Sequence, residues 1–324
     1  PEKEIIMQAA SLIKAQELVA FPTETVYGLG AAAFQSQAVE KIFTAKGRTE
    51  NNPLLLHLSC MEQAESVAKE ITPAAKMLME RFWPGPLSII LPARETVPPI
   101  VRGGKTTVGL RMPAHPVALA LIDQAGPLAA PSANLSGRPS PVTAEHVKAD
   151  LDGKIAAILD AGPTGLGLES TIIDLSNQGC RILRQGGITV EELEKAMGMS
   201  ITVNNPEQEH FPHYRIKSKL LICQSWEEMD DYLSKIEQLE KKLVLVHTYI
   251  DKNDARWEKL IDKYPQYQSY ELDLNTATNR LYSLLREAEE KKFELLLFTP
   301  LPKKLSGIAR AMLERIYQAA RNSP

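Results

Sequence analysis

Leu18-Val-Ala-Phe-Pro-Thr23 followed by Glu24-Thr-Val-Tyr-Gly-Leu-Gly30 is the stretch on which the fold reading turns. Four apolar residues, LVAF, run into a proline, then into two threonines, a glutamate and a tyrosine, then into a Gly-Leu-Gly turn. That is a short buried strand whose end is crowded with polar side chains, the place where open α/β sheets bind ligands. Upstream, residues 3–16 space their apolar positions as a helix does, and downstream SQAVEKIFTAK (36–46) is helical again. The strand LLLHLS (54–59) follows, with helices near 61–69 and 73–82. Further strands are expected at LSIILPA (87–93), TTVGLRM (106–112), PLAAPSA (127–133), IAAILDAG (155–162), STIIDLS (170–176) and CRILRQG (180–186). Several are short and separated by Pro/Gly turns, which predicts a twisted mixed parallel and antiparallel α/β sheet over a purely parallel one.

The chain holds 324 residues, about twice a single-domain length. Sixteen of its 22 prolines lie before residue 164, and residues 1–205 carry 18 basic against 21 acidic side chains while 206–324 carry 19 of each. Between the halves, NNPEQEHFPHYRIKSK (204–219) is polar and aperiodic. The expected division is a first domain at 1–205, a linker at 206–217 and a smaller Rossmann-like α/β domain at 218–324. In the latter, KLLICQS, KLVLVHT, YQSYELD and FELLLFT alternate with helical stretches, the pattern of a parallel three-layer unit.

A formal charge of −3 and a pI near 6.2 oppose a protein that lives by sequence-independent grip on nucleic acid, so any RNA partner must meet a local patch. Three scattered cysteines, Cys60, Cys180 and Cys223, offer neither a disulfide framework nor a zinc knot and point to the reducing cytosol. No run approaches the ~18 apolar residues of a membrane span.

Two phosphate-binding patterns need weighing. Gly28, Gly30 and Ala33 read as GxGxxA with Glu50 downstream, but the AAAF after Gly30 is strand-like where a helix N-terminus is required. Gly103-Gly-Lys-Thr106 is the tail of a Walker A loop whose opening glycine is replaced by Pro99, which has no N–H and no access to positive φ, so that reading is rejected.

The polar residues at element ends are more informative. Lys46 and Arg48 close a helix before Asn52. Cations there favour the macrodipole, and a phosphate contact is the other reading. His57 lies in an apolar strand, where a hydrogen-bonded core histidine is the commoner case. Arg111 is buried in VGLRMP (108–113) and needs an anionic partner, either a substrate carboxylate or phosphate or an internal acid. The turn APSANLSG (130–137) sets Ser132, Asn134 and Ser136 at a strand end, with Ser140 beyond; Ser170 and Thr171 lie in GLESTIID (167–174), and Arg184 precedes a Gly-Gly turn. The set is rich in cations and hydroxyls and has few acids, Glu169 and Glu24. It suits a polyanion such as a nucleotide triphosphate. No GxSxG elbow and no HExxH is present.

Taken together, FPTETVYGLG, AKGR with NPL (45–54), FWPGPL (82–87), VGLRMP, APSANLSG, ESTIID (169–174) and LRQGG (183–187) resemble, in order and spacing across residues 5–200, the YrdC-type threonylcarbamoyl-AMP synthases. The added C-terminal domain resembles their longer, two-domain form. The resemblance implies a nucleotidyltransferase that joins L-threonine, bicarbonate and ATP, with Mg2+, into threonylcarbamoyl-adenylate and pyrophosphate. That product feeds downstream proteins that carry the group onto tRNA. It also assigns Lys46 and Arg48 to the phosphates and the bicarbonate-derived group, and Thr25, His57, Arg111, the Ala130 backbone and Ser170 to threonine. Arg48, Asn52, Thr107, Ser132, Asn134, Ser140 and Arg184 fall to ATP, with no protein side chain ligating the metal. The linker of the longer form carries a Pro-Gly-Met run before a His-Tyr pair; here only His213 and Tyr214 remain, and the expectation is that Tyr214 still reaches the ligand. Two rival readings are a double-stranded RNA or tRNA-binding factor of ribosome maturation, and carbamoyl transfer to a hydrogenase cofactor, which would need zinc-finger segments this chain lacks.

Overall fold

The computed structural model describes residues 3–176, 179–204, 214–236, 242–250, 254–275, 278–302, 305 and 307–324. Contacts divide the chain into two units, one of residues 1–136 and 140–209, the other of 137–139 and 210–324.

The first unit opens with α1 (Lys3–Lys14), whose Ile6, Ala9, Ala10 and Ile13 form one buried stripe. Strands β1 (Val19–Phe21) and β2 (Gly28–Ala32) lead to α2 (Ser36–Lys46), β3 (Leu55–His57), α3 (Met61–Val67) and α4 (Pro73–Phe82). Next come β4 (Leu87–Pro92), β5 (Thr107–Arg111), α5 (Pro116–Ala125), β6 (Leu128–Ala129) and α6 (Ala144–Leu151). The unit ends with β7 (Ala157–Ile158), β8 (Thr171–Asp174), β9 (Arg181–Arg184), α7 (Val190–Met197) and β10 (Thr202–Val203).

Among the described residues these strands make one sheet in the order β10-β9-β8-β4-β5-β3-β6-β2-β1-β7. Pairing is mixed: β3 with β5, β4 with β8 and β1 with β7 run parallel, while β4 with β5, β3 with β6, β2 with β6 and β1 with β2 run antiparallel. The mixed α/β sheet expected from the short Pro/Gly-bounded strands is therefore present.

One local expectation changes. The Gly28-Leu-Gly30 turn is in fact the start of β2, antiparallel to β1 with Phe21 opposite Gly28 and Val19 opposite Gly30. A Cβ at either glycine would come within 3.0 Å of the Phe21 ring. The glycines thus clear room for an aromatic ring lying across the strand, and this accounts physically for a GxGxxA pattern with no helix N-terminus behind it. Helix α5 is absent from the sequence reading because PVALALIDQA is too uniformly apolar to show an amphipathic period. Its start is set by His115, whose Nδ1 accepts from the Val117 N–H, and by Pro116 at the first helical position.

The second unit consists of β11 (Lys219–Ile222), α8 (Trp226–Ile236), β12 (Leu243–Tyr249), α9 (Ala255–Lys263), β13 (Gln268–Asp273), α10 (Thr278–Glu290), β14 (Leu295–Phe298) and α11 (Gly307–Arg321). Its sheet, β11-β14-β12-β13, is parallel throughout. Strands buried on both faces read as unbroken apolar runs, as LVLV and LLLF do.

Candidate active site

Strand register gathers residues that are distant in the sequence onto one sheet face. Partners across a ladder project to the same side, as do alternate residues along a strand. His57 of β3 is paired with Arg111 of β5, and Ile90 of β4 with Gly109, so Ser88, Gly109, Arg111 and His57 share a face. Ser88 is paired with Ile172 of β8 and Ile172 with Arg184 of β9, which extends the row. Thr107 lies on the same side of β5 as Arg111. Gly109 keeps that face low: a Cβ there would come within 2.5 Å of Leu55 Cδ2.

Hydrogen bonds tie the row together. The Ser88 and Ser170 hydroxyls are 2.7 Å apart, and Arg184 donates to the Ser170 carbonyl from Nε and Nη2 at 3.0 and 2.9 Å and to Ser170 Oγ at 3.1 Å. Ser140 Oγ donates to Glu169 Oε1 at 2.7 Å, so the neighbouring acid fixes that hydroxyl. Ser88 went unmarked in the sequence. Its one available signal was a hydroxyl in the otherwise apolar LSIIL.

A second cluster forms at the end of α2. Gly47 takes a left-handed φ of 61°, which stops the helix and lets its N–H bond back to Thr44. Lys46, 2% exposed, then donates from Nζ to the carbonyls of Ser132, at 2.5 Å, and Asn134. Ser132 Oγ donates to Asn134 Oδ1 at 2.5 Å, which closes the Lys46–Ser132–Asn134 group. The macrodipole alone does not explain a lysine that is buried and bound to another segment's backbone. Arg48 donates from Nη2 to Asn52 Oδ1 at 2.5 Å and to the Pro53 carbonyl at 3.1 Å.

The two clusters are linked electrostatically through Arg48 and Arg184. Burial first, and then the positive charge of Arg184, hold Arg48 down at about 10. The positive charge of Arg184 disfavours a charged Arg48, and an anion in the same neighbourhood would favour it.

The side of the site around His57 and Arg111 is drier. His57 is 4% exposed, and burial, followed by the charge of Arg111, pushes it down to about 3, so its imidazole is neutral. Its Nδ1 is buried without a hydrogen-bond partner, and its ring meets Phe21 edge-on at 5.9 Å. Thr25 is fully buried with its hydroxyl 2.7 Å from that of Thr23. Ala130 spends its N–H on the Leu55 carbonyl, so the peptide's remaining polar atom is its own carbonyl. Arg111, 4% exposed, donates from Nε to the Gly85 carbonyl at 3.3 Å and lies 2.7 Å from Glu24 Oε1. Of the two partners open to it in the sequence, an internal acid is thus present. Tyr214, 6% exposed, stacks on Tyr282 of α10 with centroids 5.4 Å apart. His213 lies outside the described residues.

Among the described residues no three His, Cys, Asp or Glu gather as a metal cage, and no helix is long and apolar enough to cross a membrane. A mixed sheet whose face and edges collect cations, hydroxyls and one neutral imidazole has the make-up of an α/β enzyme site. Residues 11–186 match the Sua5/YciO/YrdC family, described as telomere recombination, and residues 188–321 match the threonylcarbamoyl-AMP synthase C-terminal domain. The chain is 41% identical to the threonylcarbamoyl-AMP synthase of Bacillus subtilis, over 97% of this chain and 92% of that protein. It is similar also to the crystal structure of Pyrococcus abyssi Sua5 complexed with L-threonine, at a TM-score of 0.87 and 37% identity over 99% of this chain and 95% of that one. A variant of that protein, with a histidine and the following tyrosine replaced by alanine, aligns with a TM-score of 0.86 and 36% identity over 99% and 94% of the two chains. The chain belongs to the Sua5/YciO/YrdC family, in its two-domain threonylcarbamoyl-AMP synthase form.

Proposed function

We propose that this chain makes threonylcarbamoyl-adenylate and pyrophosphate from L-threonine, bicarbonate and ATP, a nucleotidyl transfer that supplies tRNA modification. The observation that carries the reading is Lys46, buried with its ammonium on the carbonyls of the Ser132–Asn134 turn, together with Arg184 fixed on Ser170. Cations held together by the protein's own packing stabilise an anion without reorganising, and a triphosphate is the anion in this chemistry.

The threonine amine adds to the carbon of CO2 drawn from bicarbonate and gives up a proton, which makes a carbamate, and an oxygen of that carbamate attacks the α-phosphorus while pyrophosphate leaves. Negative charge grows on the phosphoryl oxygens and on the leaving group. Lys46, Arg48 and Arg184 would meet that charge, while Asn52, Thr107, Ser132, Asn134 and Ser140 would supply amide and hydroxyl contacts to the nucleotide. Arg111 would clamp the threonine carboxylate. The Ala130 carbonyl, Thr25, Ser170 and the neutral His57 would supply the remaining polar contacts to the amino acid. Exclusion of water from the buried His57–Arg111 region would protect the labile carbamate.

The donor set of ammonium, guanidinium and hydroxyl groups fits a triphosphate that carries its own Mg2+ on phosphate oxygens. That ion would offset charge on the leaving group, and the residue roles above do not depend on it.

The deciding test supplies ATP, Mg2+ and bicarbonate, varies the amino acid, and looks for an acyl-adenylate by mass spectrometry alongside pyrophosphate release. Threonine-dependent adduct is the expected result. Salt-sensitive RNA binding with no adduct for any amino acid would refute the reading.

A further inference from the structure

Glu24 and Arg111 oppose each other at 2.7 Å, with side chains 18% and 5% exposed. Yet neither carboxylate oxygen of Glu24, nor Arg111 Nη2, makes a directed hydrogen bond. The charges touch, but no N–H is aimed along an oxygen lone pair. A buried ion pair built for stability normally satisfies its lone pairs and protons, because the desolvation cost is recovered only with good geometry. This pair leaves that capacity unspent on both partners.

A zwitterion would spend it. Its carboxylate matches the Arg111 fork and its ammonium matches the Glu24 carboxylate, each a charge-assisted hydrogen bond stronger than a neutral one. Arg111 and Glu24 carry opposite charges, as the two ends of an α-amino acid do, and they meet where His57 and Thr25 close a dry wall. Two histidines are electrostatically linked to the pair: His57, held neutral, to Arg111, and His115, half-buried and also pushed down by burial, to Glu24. Neither can receive an ammonium as a carboxylate does.

We propose that Glu24 is a specificity-determining residue. It pairs with Arg111 in the free site, then takes the α-ammonium of the substrate as Arg111 takes its carboxylate, so the site selects an α-amino acid over the acid lacking the amine. This rests on the threonine-site reading above and names a residue which that reading leaves without a role.

The test is calorimetric binding of two probes, L-threonine and 2,3-dihydroxybutanoate, in which a hydroxyl replaces the amine, to the full chain and to its Glu24→Gln and Glu24→Asp variants. The full chain should prefer threonine. Glu24→Gln, nearly the same size, should cut the ratio of the two affinities tenfold or more by weakening threonine while the hydroxy acid binds as well or better. Glu24→Asp, which keeps the charge, should retain a preference for the amine. Equal loss of both probes in Glu24→Gln, with its melting temperature unchanged, would show that Glu24 only holds Arg111 and would overturn the proposal. Unaltered threonine binding in that variant would overturn it as well. Failure of the unmodified chain to bind threonine would overturn the threonine-site reading itself, and this inference with it.

Discussion

Lowering the pH from 7.5 to 5 should weaken the first unit through His57 alone by about 2 kcal/mol. In the folded chain the imidazole is held at about 3, first by burial and then by the Arg111 charge, against an ordinary value of 6.5. The folded value is the lower one, so the unfolded chain binds the proton more readily. The stabilising effect of a neutral His57 is complete above about pH 6.5 and is lost as the pH falls toward 3. At 1.36 kcal/mol per unit, the gap of 1.5 units between 6.5 and pH 5 is worth roughly 2 kcal/mol, and the limit near pH 3 is of order 5. Other groups titrate over the same range, so the measurement is a difference. Guanidinium unfolding of the full chain and of His57→Asn, followed by amide exchange in peptides covering β3 and β5, gives the cost of the substitution at each pH. That cost should fall by about 2 kcal/mol between pH 7.5 and pH 5, because only the natural chain carries the proton-linked penalty. An identical cost at the two pH values would refute the reasoning, since it would mean that His57 is protonated as easily folded as unfolded.

Replacing Lys46 or Arg48 by alanine should each lower threonine-dependent pyrophosphate release by about 10²-fold or more, the scale of losing one fixed transition-state donor; near-normal release in both variants would contradict the phosphate assignment. Gly30→Ala sets a methyl 3.0 Å from the Phe21 ring and 3.2 Å from Leu128, which should cost about 1–3 kcal/mol of overpacking, read as a lower denaturation midpoint. Leu56→Ala, at a fully buried position of β3, should cost about 2–5 kcal/mol by the same measurement, in line with other buried leucines. A chain cut before residue 206 should bind nucleotide more weakly if Tyr214 reaches the ligand; unchanged affinity would exclude that role.

Much of the architecture was legible because local patterns carry it. The helical stripe of α1, the Gly47 stop of α2 and the apolar runs of β12 and β14 are properties of short segments. The motif runs likewise mark candidate residues, since buried or strand-end cations and hydroxyls are unusual in any context. The illegible parts involve partners. Gly28 and Gly30 fit a phosphate-loop pattern that the strand-like AAAF after them opposes, but only Phe21 on the neighbouring strand gives the reason they are glycine. Ser88 looks like an ordinary strand residue until Ser170 is placed beside it.

Residue order alone determined most of the segments that become helices or strands, with α5 and β2 among the exceptions, and the short roll of side chains with chemistry to offer, because these depend on neighbours within a few positions; the order and spacing of its motifs determined the family. Tertiary structure decided which of those side chains meet. A strand's register chooses the face on which Arg111, His57 and Arg184 emerge, and a shift of one residue would turn them away. The contacts of Lys46 with the 132–134 turn and of Arg111 with Glu24 join residues more than 80 positions apart. Pairings at that distance follow from packing the whole sheet, which no local stretch specifies.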